Sequence, residues 1–80
     1  MRKATTAKEL SNYIKDIRIS KELSQSNIAK KVGIRQDTVS SFELHPESTK
    51  LTTLFKILSA LNLELQIAPR NTNSQWQEEW

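Results

Sequence analysis

Four polar side chains follow the chain's single glycine at spacings that place them on one face of a short helix. They are Gln36, Asp37, Ser40 and Ser41, which stand at positions i, i+1, i+4 and i+5. A glutamine amide can form two hydrogen bonds with the edge of an adenine, and a serine hydroxyl can bond to a base edge or a phosphate. These residue types at this spacing predict a surface that contacts base pairs in duplex DNA.

Two charged residues stand at the start of the same helix. Arg35 can reach a guanine or a backbone phosphate, whereas phosphates repel the carboxylate of Asp37. Asp37 can accept a hydrogen bond from cytosine N4 or stabilise the positive end of the helix dipole, and we favour the second role. The alternative for the whole face is an ordinary solvated helix surface. The expected base-contacting residues are Arg35, Gln36, Asp37, Ser40 and Ser41.

Two short helices must position this face. Ser24 is a suitable N-cap for a helix over 25–32, and Gly33 can adopt the positive φ that ends such a helix. A second helix is predicted over 36–44, with Val39 and Phe42 facing inward. Two helices joined by a tight turn make a helix-turn-helix, whose second helix enters the DNA major groove.

The first helix of this unit begins with free backbone amides that suit a phosphate. Ser24 and Gln25 stand there, and Gln25 is also placed to brace Gln36. Contacts to phosphate position a protein on DNA without specifying sequence, and the alternative for each of these residues is simple solvation. The expected phosphate-contacting residues are Ser24, Gln25, Thr38 and Lys50.

Two further helices complete the expected domain. Thr6 and Glu9 form a capping-box pattern before a helix over 7–21, and His45-Pro46 separates the recognition helix from a helix over 50–61. The apolar residues that recur at helical spacing are Ala7, Leu10, Ile14 and Ile17 in the first, and Leu51, Leu54, Ile57, Leu58 and Leu61 in the second.

After residue 62 the apolar period changes from helical to alternating. Leu63, Leu65 and Ile67 alternate with polar residues, which predicts a strand over 63–68. The chain shows no second strand, and a lone strand leaves its backbone amides unpaired. We therefore predict that the strand pairs antiparallel with its copy in a homodimer. The alternative is a fourth helix that frays into an extended tail.

Residues 69–80 are polar, lack periodicity and contain no aliphatic side chain, so we expect a flexible tail after a domain of residues 1–68. The tail carries both tryptophans, Trp76 and Trp80, and tryptophan is enriched at binding hot spots. We interpret it as a linear segment that docks on another protein. The alternative is that one tryptophan folds back onto the domain.

Composition favours an anionic partner and argues against several other classes. The net charge is +3 and the sequence pI is about 9.5. The absence of cysteine excludes disulfides and thiolate metal sites and is compatible with the cytoplasm, where we expect the protein. No apolar run approaches the roughly 18 residues of a membrane span, and MRKATT lacks the apolar part of a secretory signal. With His45 as the single histidine, we expect no enzyme activity, cofactor, metal or small-molecule substrate.

Residues 10–63 resemble the Xre/Cro-type helix-turn-helix family of phage and bacterial repressors. This resemblance implies a mainly α-helical fold of four or five short helices, in which the arginine at Arg18 pairs with the glutamate at Glu43. The matching positions are Arg18, Leu23-Ser24-Gln25, Ile28-Ala29, Gly33-Ile34, Thr38-Val39-Ser40, Phe42-Glu43, Leu54 and Leu61.

Almost the whole chain also resembles the HipB antitoxins. The motifs are GIRQ at 33–36, Ser40 with Phe42-Glu43, LTTLFKIL at 51–58, and the terminal Glu79-Trp80. The resemblance implies a dimer joined by C-terminal strands that represses its own operon and binds a palindromic operator. It also implies a HipA-type serine/threonine kinase toxin as partner, bound by a tail that ends in tryptophan.

Two other functions remain open from the sequence. A plain Xre-type DNA-binding regulator would use the same helix with an inert tail, and no kinase-like protein would be encoded beside it. A protein-interaction adaptor would use the helical body as a scaffold, and loss of DNA binding on Gln36→Ala with Ser40→Ala would count against it.

Overall fold

The computed structural model describes residues 2–70 and folds them into four α-helices and one 3₁₀ turn. The predicted mainly helical fold is confirmed, and each α-helix lies within one residue of its expected ends. The 3₁₀ turn occupies the expected loop. The helices are α1 (Ala7–Ser20), α2 (Gln25–Val32), α3 (Gln36–Leu44) and α4 (Leu51–Ala60), and the turn is Pro46–Ser48.

A capping box begins α1, with its return contact one residue earlier than predicted. The Glu9 amide donates to Thr6 Oγ1 at 3.0 Å, and Glu9 Oε1 accepts from the Thr5 amide at 2.8 Å. The backbone hydrogen bond from Thr5 is the main reason that the pKa of Glu9 lies below its ordinary value. The bond to Thr6 satisfies an amide that the first turn of a helix leaves without a partner, and the bond from Thr5 ties the preceding residue to that turn.

Helix α2, the first helix of the helix-turn-helix, is capped at both ends. The Ser24 hydroxyl accepts from the Asn27 amide at 3.0 Å, and the Asn27 side chain accepts from the Ser24 amide at 2.8 Å. At the other end Gly33 has φ +73°, which an L side chain rarely adopts, and its amide donates to the Ala29 carbonyl. The predicted cap and the predicted glycine turn are therefore both present.

The helix-turn-helix packs against α1 and α4 over one hydrophobic core. Helix α2 contacts both α3 and α4, and α1 packs against α3. One side of α3 therefore packs on α1 and α2, and its opposite side faces solvent. The buried apolar side chains are Ile14, Ile28, Ala29, Val39, Phe42, Leu54, Ile57, Leu58, Ala60 and Leu61.

Two residues that were assigned to apolar faces are exposed instead. Leu51 is 69% exposed, and Ala7 is also exposed. Each is the first residue of its helix, and helical side chains lean toward the N-terminus. Both side chains therefore project past the end of the helix rather than onto the core, and the inward assignment of these two positions was wrong.

Residues 63–70 have no regular secondary structure, and residues 2–70 contain no strand. Leu63 is half-buried against the core, whereas Leu65 and Ile67 are exposed. The Leu63 amide donates to the Leu58 carbonyl at 2.8 Å, but no strand within residues 2–70 lies beside the segment, so the intersubunit strand stays a prediction. None of the helices in residues 2–70 is long and apolar enough to cross a membrane. Trp76 and Trp80 lie outside the described residues.

Candidate nucleic-acid interface

The five residues expected to contact bases lie at the N-terminal end and along the outer side of α3. Gln36, Asp37 and Ser41 are exposed, as is Arg35 immediately before the helix, while Ser40 is half-buried. Arg35 occupies the N-cap position of α3 but makes no capping hydrogen bond with its side chain. We call this set of residues, Arg35, Gln36, Asp37, Ser40 and Ser41, the α3 face.

The α3 face continues into a pocket shared with the start of α4. Arg35 and Lys50 bring positive charge to it, while Asp37 contributes one carboxylate. Thr53, which was not predicted, also lines the pocket, and its position one helical turn after Lys50 was the signal for it. The lining residues are Arg35, Asp37, Thr38, Ser41, Ser48, Thr49, Lys50 and Thr53. Hydroxyl groups with two cations can bind a phosphate oxygen.

A buried ion pair ties α1 to α3, as the resemblance to Xre/Cro-type repressors implied. Arg18 Nε donates to Glu43 Oε2 at 2.7 Å, and Arg18 Nη2 donates to Glu43 Oε1 at 3.1 Å. Arg18 also donates to the Leu23 carbonyl at 2.8 Å, which anchors the loop before α2. The side chains of Arg18 and Glu43 are only 12% and 4% exposed. This two-pronged geometry holds both charges in fixed orientation.

The ion pair connects to the α3 face through Gln25. The Gln25 side-chain nitrogen donates to Glu43 Oε1 at 2.9 Å, and the Gln36 side-chain nitrogen donates to Gln25 Oε1 at 2.7 Å. The expectation that Gln25 braces Gln36 is therefore confirmed. The link onward to Glu43 was missed, although Glu43 follows Gln36 by seven residues and therefore lies on the same side of α3.

The residues expected at phosphates occupy different environments. Ser24 is exposed at the start of α2, where its hydroxyl oxygen caps the helix. Gln25 uses its oxygen and one amide hydrogen within the domain, which leaves its second amide hydrogen for an external acceptor. Thr38 is half-buried in the α3–α4 pocket, and Lys50 is exposed at its rim. The structure thus places these four residues around the α3 face.

No group of three His, Asp or Glu side chains in residues 2–70 is arranged to hold a metal ion. His45 lies exposed beside Glu47, with 4.0 Å between Nδ1 and Oε2.

Comparison with known proteins agrees with this fold. A helix-turn-helix family model matches residues 14–67. The chain is 41% identical over 73 residues to the antitoxin HipB of Escherichia coli strain K12, a match that covers 84% of this chain and 83% of HipB.

Solved structures of HipB have the same fold. In a HipB–O4 20mer complex, the matching chain has a TM-score of 0.85 and 40% sequence identity, with 86% of this chain and 97% of that chain covered. A HipA–HipB–O2–O3 complex gives the same values. The chain belongs to the helix-turn-helix family and, within that family, to the HipB antitoxins.

Proposed function

We propose that this protein is an antitoxin and transcriptional autorepressor. As a homodimer it binds a palindromic operator in the bacterial cytoplasm, and it neutralises a HipA-type serine/threonine kinase toxin. The observation that carries the proposal is the α3 face, which is exposed except for the half-buried Ser40. It is held by the bond from Gln36 to Gln25, on a fold shared with HipB in the HipB–O4 20mer complex.

The α3 face supplies the contacts to bases. Gln36 lies in the first turn of α3, where helix-turn-helix proteins usually touch base edges. Ser40 and Ser41 follow one turn later and offer hydroxyls that bond to a base edge or a phosphate. Arg35 supplies a guanidinium beside them. The carboxylate of Asp37 is the one group of the face that phosphates repel. We therefore assign it to stabilising the positive end of the α3 helix dipole rather than to contacting DNA.

Phosphate contacts surround this face and set the register of the protein on DNA. Ser24 and Gln25 lie at the positive end of α2, whose free amides favour an anion. Thr38 and Lys50 line the α3–α4 pocket together with Thr53. A phosphate seated in this pocket would be bound by the Lys50 ammonium and the threonine hydroxyls, and binding would weaken as salt rises.

The predicted operator binding is tested by selecting fragments of the source genome that bind the purified protein. The selection is made at about 150 mM salt, where non-specific phosphate binding is weak. We expect enrichment of an inverted repeat upstream of this protein's own gene. Gln36→Ala combined with Ser40→Ala should weaken binding to that repeat by about 1–3 kcal/mol for each lost base contact. Titration of a labelled duplex measures the loss.

Asn12→Ala is the matched control, because it removes an exposed amide from α1 without touching the α3 face. It should bind the repeat as the parent does. Full binding by the Gln36 and Ser40 variant would show that α3 does not contact the bases and would favour the adaptor function. Recovery of random fragments alone would count against sequence-specific repression.

The homodimer has support from apolar side chains that the domain leaves exposed. Leu51 and Phe55 are one turn apart on α4 and are both exposed. In the segment predicted to pair with its copy, Leu65 and Ile67 are exposed as well, and Leu65 lines an apolar groove with Leu63 and the buried Leu58. A second chain that covers both these α4 side chains and this segment would bury the exposed apolar surface and place a strand beside the amides of residues 64–68.

The tail is proposed as the toxin contact. Deletion of residues 69–80, which removes Trp76 and Trp80, should leave operator binding unchanged and weaken toxin binding. Because truncated tryptophan hot spots cost at least about 2 kcal/mol, we expect a loss of roughly 30-fold or more. Calorimetry with the kinase encoded in the adjacent reading frame measures this affinity.

Replacement of both tryptophans by alanine in the full-length chain separates their contribution from that of tail length. The two variants should lose similar affinity. Unchanged affinity after deletion would remove the tail from the toxin contact. The absence of any kinase-like protein in an adjacent frame would favour a plain regulator with no toxin.

A further inference from the structure

We infer that Trp76 docks into a groove on its own domain, so that the domain and the toxin compete for the same tail. The groove runs between residues 2–5, helix α1 and residues 63–70, and we call it the α1 groove. The competition rests on the proposed toxin contact, whereas the docking itself requires no toxin.

The α1 groove has an apolar floor and is large enough for an aromatic side chain. Half-buried Tyr13 and Ile17 of α1 and buried Leu58 of α4 line it, and Leu63 and Leu65 continue the apolar surface. Its volume is about 560 Å³, within the roughly 300–1,000 Å³ of pockets that bind small organic molecules. Tryptophan has a large apolar ring with one polar N–H, so it can bury most of its surface there.

Both walls of the α1 groove are attached to the domain. Arg2 Nη2 lies 3.0 Å from the Asp16 carboxylate, and the Arg2 guanidinium carbon lies 3.9 Å from the centre of the Tyr13 ring. These contacts hold residues 2–5 against α1. On the opposite side the Leu63 amide donates to the Leu58 carbonyl at 2.8 Å. The groove is therefore formed in the domain by contacts that do not involve the tail.

Charge complementarity favours the tail as the occupant. Lys3 and Arg70 line the groove, and within residues 2–70 neither of them forms an ion pair. Glu64 is the single carboxylate among the lining residues. Beyond residue 70 the chain has no Lys or Arg, and it carries two carboxylates, Glu78 and Glu79, shortly after the first tryptophan. With that tryptophan in the groove, both carboxylates are within reach of the cations at the rim.

The tail also starts at the groove, because Arg70 is one of its lining residues. Trp76 follows six residues later and can lie at most about 20 Å away. Residues 71–74 are Asn, Thr, Asn and Ser, types that favour the chain reversal that docking needs. A short linker holds an attached segment at an effective concentration in the mM range, so a contact with a Kd of about 0.1 mM is formed in about nine of ten molecules.

A second copy of the chain is the other candidate for this groove. Ile67, on which the predicted strand contact depends, is 94% exposed and is not among the lining residues. Residues 63–68 of a copy carry Glu64 as their one charged residue, whereas the tail brings two carboxylates to the cations of the rim. The charges therefore fit the tail better than they fit the copy.

The test uses the full-length chain with Trp80→Phe, in which Trp76 is the one tryptophan left. Its emission therefore reports the environment of that side chain alone. We expect emission at a shorter wavelength than that of N-acetyltryptophanamide, which is fully exposed. Quenching by acrylamide should be weaker by about fivefold or more, since about nine of ten molecules hold the docked tail.

Lys3→Glu with Ala4→Glu places two carboxylates on one wall of the groove, and it should shift emission and quenching to those of the exposed reference. Asn12→Glu with Lys30→Glu is the matched control, because it makes the same change in net charge on exposed side chains outside the groove. The control should keep the protected emission. Circular dichroism checks that both variants are folded.

Exposure of Trp76 in the Trp80→Phe chain equal to that of the reference would overturn the docking. Protection that persists in the folded Lys3 and Ala4 variant would do the same. Loss of protection in Ile67→Asp, which we expect to be monomeric, would show that a second copy holds the tail and would also overturn docking on the chain's own domain.

The competition is measured separately, with the kinase encoded in the adjacent reading frame. The Lys3 and Ala4 variant should bind it about tenfold more tightly than the matched control, in which about one molecule in ten presents an undocked tail. Equal affinity of the two for a kinase that binds the tail overturns the competition. A kinase that does not bind the tail, while Trp76 stays protected, overturns the proposed toxin contact and leaves the docking standing.

Discussion

Replacement of Glu43 by leucine should remove a large part of the stability of this domain. The variant leaves the Arg18 guanidinium in a nearly closed environment, where its side chain is only 12% exposed, without the carboxylate that balances its charge. Loss of one partner from a buried pair costs about 3–5 kcal/mol. A domain of this size has a total free energy of unfolding of about 5–15 kcal/mol. Urea unfolding at fixed protein concentration measures the change, because dimerisation also contributes to stability.

A double variant separates the charge from the packing. Arg18→Met with Glu43→Leu removes both charges and keeps most of the buried volume, so it should recover a large part of the loss. Substitution of the exposed Arg2–Asp16 pair, whose atoms lie 3.0 Å apart, is the surface control and should change stability by less than about 1 kcal/mol. A loss below about 1 kcal/mol in Glu43→Leu alone would contradict the importance of the buried pair.

The local signals in the sequence predicted the helices well because each helix end has its own chemistry. Each such residue affects only the helix end beside it. The examples are Ser24 as an N-cap, Gly33 with positive φ, and Pro46, which has no backbone amide hydrogen. Their effects do not depend on how the rest of the chain folds. The same is true of the polar spacing along α3, so the candidate site was predicted as a face.

Contacts between helices were harder to predict from the sequence than the helices themselves. The pairing of Arg18 with Glu43 came from a family resemblance, because nothing in the spacing of two residues so far apart specifies their contact. The bond from Gln25 to Glu43 requires knowing how α2 sits on α3. The exposure of Leu51 follows from its place as the first residue of α4, which the apolar periodicity within the helix does not report.

The second large effect should follow from Ile67→Asp, which we expect to separate the dimer into monomers. Ile67 is 94% exposed in the single chain, in a segment whose amides have no strand beside them. An aspartate there would bring two like charges together across the predicted two-fold axis and desolvate them. Sedimentation equilibrium measures the shift to monomer. Phe55→Asp, on the exposed stripe of α4, should act in the same direction.

Loss of the dimer should also weaken operator binding, because the recognition helices of two subunits bind two half-sites cooperatively only when the subunits are linked. Linkage of two binding modules raises affinity by about 10²–10⁴, so Ile67→Asp should weaken operator binding by at least roughly 100-fold although the α3 face is intact. Gln66→Asp is the control, since a strand points alternate residues to opposite faces and this position should keep the dimer. If Ile67→Asp sediments as the parent does, residues 63–68 do not form the shared strand. A dimer would then have to rest on α4 alone.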